Sequence, residues 1–246
     1  MPDVERLIAP NPGPMTLEGT NTYLVGRDPT IVIDPGPADK GHIEAVRAAA
    51  QDRGGIGEVL VTHSHGDHAD GVDLLGVEPT ELGGGEAESG IAAIATPGHA
   101  TDHLCFVIAP GHDVTRDARG SICFCGDLIL GEGSTIVPPA QEGGSLADYM
   151  ESLREMAELD LELIYPGHGP PITHPASKIA EYIEHREMRE RRLLDALNAG
   201  ERSRARLLDQ VWDDVPAELR PAAAYAMQAH MEKLEADGLL PEGLAE

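Results

Sequence analysis

Three histidines and an aspartate fall within six residues of this chain, in His63-Ser64-His65-Gly66-Asp67-His68. The apolar run Val59-Leu60-Val61 stands just ahead of them. That run reads as a buried strand, so the polar cluster sits where a strand leaves the core. His63 and His65, two apart in extended chain, project to the same side. Gly66 then permits a sharp turn that brings Asp67 and His68 round to the same space. Imidazole nitrogen and carboxylate oxygen are good ligands for divalent first-row metals. Four such groups at this spacing can start two metal sites, and further ligands are needed to complete them. A polar surface turn explains a pair of histidines but not this density.

Three further candidates stand in the same setting. His99 lies in Thr96-Pro97-Gly98-His99, Asp127 in Cys125-Gly126-Asp127, and His168 in Pro166-Gly167-His168-Gly169. Each follows an apolar run and has glycine beside it. Strand ends converge on one edge of a sheet, so ligands from several can meet. The runs that read as strands are 22–26, 30–34, 58–62, 91–96, 104–109, 121–125 and 163–166, each bounded by Gly, Pro or Asp. Helical patterns cover 39–53 and 145–159, the second opening on Ser145 as a cap. This alternation is that of an α/β protein.

Beyond Pro170-Pro171 the texture changes. Helical patterns occupy 176–198, 203–212 and 216–236, and the only strand-like piece is a short wing near 238–241. The organisation predicted is a main domain over residues 1–172 and a small, mainly helical domain over 173–246. The Gly- and Glu-rich segment 78–90 matches no element. Arg186, Arg189, Arg191 and Arg192 interleave with Glu184, Glu187 and Glu190 in the pattern of exposed helical ion pairs. A substrate-anion contact through Arg186 or Arg189 is the rival reading.

Acidic residues outnumber basic ones 43 to 18, for a formal charge of −25. Residues 1–172 hold most of the excess, with 28 acidic against 8 basic. A field of that sign disfavours polyanions and anionic membranes. Aromatic residues make up only 3% of the chain, which predicts a core of Val, Leu, Ile and Ala and few platforms for stacking bases. Three cysteines form no disulfide framework. Cys123 and Cys125 should share one face of a strand as packing residues. No apolar stretch is long enough to span a bilayer and no signal peptide is legible, so the expectation is a cytoplasmic protein without membrane contact.

The series His-x-His-x-Asp-His followed by a His, an Asp and a His resembles the metallo-β-lactamase superfamily, and within it the β-lactamase-like protein 2 subfamily. Gly19-Thr20-Asn21-Thr22-Tyr23, Gly131-Glu132-Gly133-Ser134-Thr135, Tyr165 to Pro170 and the His185-Arg186 pair carry the likeness. The resemblance implies an αββα sandwich with a winged-helix-like C-terminal domain. It implies two divalent ions, zinc by family norm, with manganese or iron compatible with the same donors. His63, His65 and His99 would hold the first, Asp67, His68 and His168 the second, and Asp127 would bridge them.

A pair of ions so held makes hydroxide available near neutral pH for attack on a carbonyl carbon or a phosphorus. Asp67, as a ligand with a second oxygen, is the candidate catalytic residue that orients the nucleophile. The substrates implied are thioesters and esters, including acyl thioesters, or single-stranded RNA. β-Lactams or lactones are further candidates, because fold does not fix function. From a different class, the alternative is a catalytically silent, metal-stabilised binding module. His103 and Asp34 can support the ligands or serve packing and a turn; Asn21 and Tyr23 can line the cleft or serve a strand start. No pattern encodes an oligomeric state.

Overall fold

The computed structural model describes residues 2–244 other than 83, 88 and 117. Two positions of the 78–90 segment, and 245 and 246 at the end of the expected helical domain, lie outside the described residues.

The first sheet runs in the order β1 (Val4–Ile8), β2 (Asn21–Val25), β3 (Thr30–Ile33), β4 (Ile56–Leu60). The second runs β5 (Gly85–Glu86), β6 (Ala92–Ala95), β7 (Leu104–Ile108), β8 (Ser121–Gly126), β9 (Leu161–Pro166). Among the described residues only β3–β4 and β8–β9 pair in parallel, so the C-terminal ends of each of these pairs lie together. Helix α1 (Lys40–Gln51) connects β3 to β4, and α4 (Leu146–Ala157) connects β8 to β9. Two short helices, α2 (Gly66–Ala69) and α3 (Gly71–Leu75), follow β4.

Period-2 alternation sorts the strand residues into layers. Ile31, Ile33, Phe106, Ile122 and Phe124 share the core between the sheets. Val32 and Val59 face the other way and pack on Ile43 and Val46 of α1. Cys105, Cys123, Cys125 and Ile164 meet Tyr149 and Leu153 of α4. All three cysteines are free and buried. The result is an αββα sandwich. Its centre is more aromatic than the composition suggests. Both phenylalanines sit between the sheets, and Tyr23, Phe124 and Tyr165 pack with ring centroids 5.0 to 5.3 Å apart.

The helices begin where capping residues allow. Asp39 accepts a hydrogen bond from the amide of His42 at 2.8 Å, and Ser145 accepts one from Asp148 at 3.3 Å. Strand β1 has no counterpart in the sequence reading. Its Val-Glu-Arg-Leu-Ile pattern is only half buried, so it forms no apolar run, and its pairing with β2 gives it order.

The C-terminal region comprises α5 (Pro175–Asn198), α6 (Arg204–Val211) and α7 (Arg220–Ala236). The wing expected near 238–241 is not a strand. The amides of Leu239 and Leu240 turn back onto the carbonyl of Leu234 at 2.8 and 3.2 Å and close the end of α7. The expectation of exposed ion pairs for Arg186 and Arg189 also fails. Ile179, Tyr182, Arg186, Arg189 and Leu193 form the buried stripe of α5 at helical spacing. Arg186 donates to Ser134 Oγ at 3.1 Å and to the Thr135 carbonyl at 2.5 Å. Arg189 donates to the Val211 carbonyl and to Asp214. Arg191 and Arg192 do stand at surface pairs, with Glu187 and Asp213.

His230 lies in the core of this helical region against Trp212, 1% exposed, with neither ring nitrogen bonded. Burial, with Arg186, His185 and Lys233 nearby, pushes its pKa down to about 3 from 6.5. The unfolded chain therefore binds a proton below 6.5 that the folded chain refuses until about 3. The penalty is absent above 6.5 and grows as pH falls, by up to about 1.4 kcal/mol per unit. His230→Met should gain about 2 kcal/mol on wild type when urea unfolding is moved from pH 8 to pH 5. An equal difference at both pH values would refute the assignment.

Candidate metal centre

Strand ends from both sheets deliver the seven candidates to one place. His63 and His65 follow β4, Asp67 and His68 lie in α2, His99 follows β6, Asp127 follows β8, and His168 follows β9. Donor atoms of His63, His65 and His99 lie within 4.8 Å of one another, as do those of Asp67, His68 and His168, and those of His63, His68 and Asp127. His65 Nδ1 sits 3.0 Å from both His63 Nε2 and His99 Nε2. Asp127 stands between the sets. Its Oδ1 is 3.4 Å from His68 Nε2, and its Oδ2 is 3.4 Å from His168 Nε2 and 3.7 Å from His99 Nε2. Asp67 Oδ2 is 3.2 Å from His168 Nε2.

The rings are held from behind. His68 Nδ1 lies 2.8 Å from Asp34 Oδ2, His99 Nδ1 2.8 Å from the Ile136 carbonyl, and His168 Nδ1 3.2 Å from the Gly19 carbonyl. Acceptors there require each Nδ1 to carry the proton, which leaves Nε2 free to face the centre. Thr62 donates its hydroxyl to Asp34 at 2.8 Å and lies 3.0 Å from His63 Nδ1, so it accepts from that ring. Asp34 is thus a support for the ligands as well as a turn residue. Asn21 donates to the carbonyls of Pro166 and Gly169, and Tyr23 to that of Pro166, fixing the loop that carries His168. Gly167 is required here: a Cβ on it would stand 2.5 Å from Asp127 Oδ1 and 2.6 Å from His68 Cε1.

Thr62 and Asp102 were not singled out in the sequence, and Thr20 only as part of the stretch that carries the family resemblance. Thr20 donates to Asp67 at 3.3 Å, and Asp102 accepts from the amide of Ser64 at 3.0 Å. Threonine at a strand end carries no chemical signature; only the adjacency of Thr62 to His63 hinted at it. His103 bonds Thr96 at 2.8 Å and packs behind His63, with ring centroids 5.1 Å apart. It joins none of the donor groups.

Charge divides the centre. Burial, then the neighbouring histidines, holds His63 well below its ordinary pKa, and burial lowers His99. Burial opposes charge on His68 and His168 too, but the carboxylates together outweigh it, Asp127 with Asp34 at His68 and Asp127 with Asp67 at His168. His68 is raised well above its ordinary value and His168 to about 9. Burial pushes Asp127 and Asp67 up, and their histidine neighbours outweigh that and lower both. Two ionised carboxylates thus share positive charge around them, in the position a cation would take.

Metal ions fit these residues. Two buried atoms aimed into the centre, His68 Nε2 and Asp127 Oδ1, have no hydrogen-bond partner. Buried polar atoms are seldom left so, and both are ordinary metal donors.

Residues 15–78 and 74–168 match the model of the metallo-beta-lactamase superfamily. The chain belongs to that superfamily. Residues 204–242 match the beta-lactamase associated winged helix domain, although α6 and α7 carry that match without a strand at 238–241. Among superfamily relatives, a beta-lactamase-like protein 2 homolog of Caenorhabditis elegans is 35% identical, over 96% of this chain and 85% of its own length. The lactamase-like protein adaB of Aspergillus niger is 39% identical over 83% of this chain, but the match spans only 66% of that protein. A metallo-beta-lactamase family protein from Thermus thermophilus has the same fold, with a TM-score of 0.72 at 21% identity, covering 96% of this chain and 94% of its own.

Proposed function

We propose that the chain is a dinuclear metal-dependent hydrolase acting on thioester or ester carbonyls. The observation that carries the reading is the convergence of seven donor residues around two partnerless buried atoms, His68 Nε2 and Asp127 Oδ1. His63, His65 and His99 would hold one ion, Asp67, His68 and His168 the other, and Asp127 both; zinc suits this mixture of nitrogen and oxygen donors. Bound there, the ions supply hydroxide near neutral pH and positive charge for the substrate's oxygen. Asp67, at 30% side-chain exposure the most open of the carboxylates, would orient the attacking water. We assign this chemistry to residues 1–172, with 173–246 covering the substrate.

The arginines support a carbonyl over RNA. Arg191, Arg192 and Arg206 are paired with Glu187, Asp213 and Glu201. Arg186 and Arg189 are buried on protein acceptors. No described helix is long and apolar enough to cross a membrane, and three free buried thiols suit a cytoplasmic setting.

Two measurements test the reading. Metal analysis should find about two divalent ions per chain, and Asp127→Ala, which removes the shared ligand, should lose most of both. Metal-loaded protein, offered thioesters, esters, lactones, β-lactams and single-stranded RNA, should turn over the first two fastest. Turnover of RNA alone would overturn the substrate class. No turnover of any would favour a silent metal-stabilised module.

A further inference from the structure

The centre opens into a cavity of about 500 Å³ that reaches the C-terminal helices. His65, Asp67, His99 and Asp127 line one part of it; Trp212, Val215 and a face of α7 line another. That face is Ala222, Ala223 and Ala226 of α7 with Leu219, which caps the helix, at spacing i, i+3, i+4, i+7. The later turns of the same helix carry Met227, His230, Met231 and Leu234, which fill the core beneath. On this face the early turns of α7 carry only methyl groups, those of Ala223 and Ala226 also touching that core, and the cavity lies against them.

Two further facts point to an occupant. Arg186, which lines the cavity, is 4% exposed and leaves its Nε without a hydrogen-bond partner. The guanidinium of Arg189 is spent on Val211 and Asp214, and that of Arg186 gives Nη2 to Ser134 and Thr135. The chamber therefore offers an apolar wall with the buried Arg186 guanidinium beside it.

We propose that this chamber receives the apolar acyl chain of the substrate, and that the alanine face of α7 sets how long a chain it admits. The inference rests on the carbonyl-hydrolase reading, and it adds specificity-determining residues outside the metal centre. Ala222, half-exposed beside the chamber, is the position where added bulk would fill it with least disturbance of the core.

Trp212 is the only tryptophan of the chain and lines the chamber, so its fluorescence reports entry without turnover. The probes are N-acetylcysteamine thioethers bearing n-alkyl chains from ethyl to decyl, titrated into the metal-loaded full chain. Affinity should rise by about fourfold for each methylene buried until the chamber is full. Ala222→Phe should cut the preference for octyl over ethyl by at least about tenfold. Ala222→Leu, a smaller intrusion, should give a lesser cut and covers the case that the phenylalanine variant misfolds.

Wild-type affinity independent of chain length would overturn the proposal. So would an unchanged octyl preference in the leucine variant, or a Trp212 response to single-stranded RNA but not to thioethers. Length-dependent binding without thioester turnover would fail the hydrolase reading alone. Turnover with length-independent binding would fail this inference alone.

Discussion

Asp67→Ala is expected to cost two to four orders of magnitude in kcat on thioester substrate, the range for losing a residue that manages a proton in the transition state, and to leave the protein folded. Folding should survive because Asp67 is partly open to solvent and lies in the first turn of a four-residue helix. Its contacts are few: Thr20, His168 and His68. His168 keeps Asp127 as a partner when Asp67 is gone. The rate should fall because no other carboxylate oxygen in the centre is as exposed; Asp127 is almost enclosed.

Asp67→Asn separates the two roles of the residue. The amide preserves shape and one ligand oxygen, so metal content should stay nearer wild type than in the alanine variant. The negative charge that orients water is lost, so kcat should still fall while KM changes little. Metal analysis and steady-state kinetics on both variants check this. Wild-type turnover in Asp67→Ala would reduce Asp67 to a polar turn residue. Loss of rate only in proportion to lost metal would make it a ligand and nothing more.

How much of this was legible depends on how each signal is written in the chain. Strand and helix alternation carried only the α/β class, and the αββα layers were expected through the family resemblance; the structure shows their basis in β3 and β8, where Ile31, Val32, Ile33 and Ile122, Cys123, Phe124 send successive side chains to different cores. Four of the seven donors were found because they crowd into one loop after an apolar run, and the other three because each sits beside glycine at the end of such a run. Arg186 and Arg189 were misread because charged residues three or four apart on a helix look alike whether water or protein satisfies them. The acceptors that bury these two are the Thr135 and Val211 carbonyls, which carry no side-chain signature. The chamber over α7 was invisible for a related reason. Alanines on a helix face read as good helix formers, and only the surrounding packing reveals that nothing fills the space above them.

Asp34 gives the second large expected effect, through stability and metal affinity together. It is 2% exposed and accepts from the Thr62 amide at 2.7 Å, the Thr62 hydroxyl at 2.8 Å and His68 Nδ1 at 2.8 Å. It also adopts a left-handed backbone with φ of 51°, which aspartate tolerates better than most residues. Asp34→Ala strands three buried donors and should cost roughly 3–5 kcal/mol. That is a large fraction of the 5–15 kcal/mol, roughly, that holds a domain folded. Urea unfolding in the presence of chelator measures it free of any metal contribution.

Asp34→Asn is the finer test. The side-chain carbonyl can still accept, but the amide group now confronts a donor, and His68 loses the carboxylate that fixes its ring. Metal affinity at the site containing His68 should fall by about 10- to 100-fold, as when a ligand's supporting partner is removed. The site built from His63, His65 and His99 should weaken less, because His99 is held independently by the Ile136 carbonyl. Competition against a chromophoric chelator resolves the two steps. Equal weakening of both would mean that Asp34 acts on the whole loop through Thr62 and His63. Wild-type affinity at both would mean that it only turns the chain.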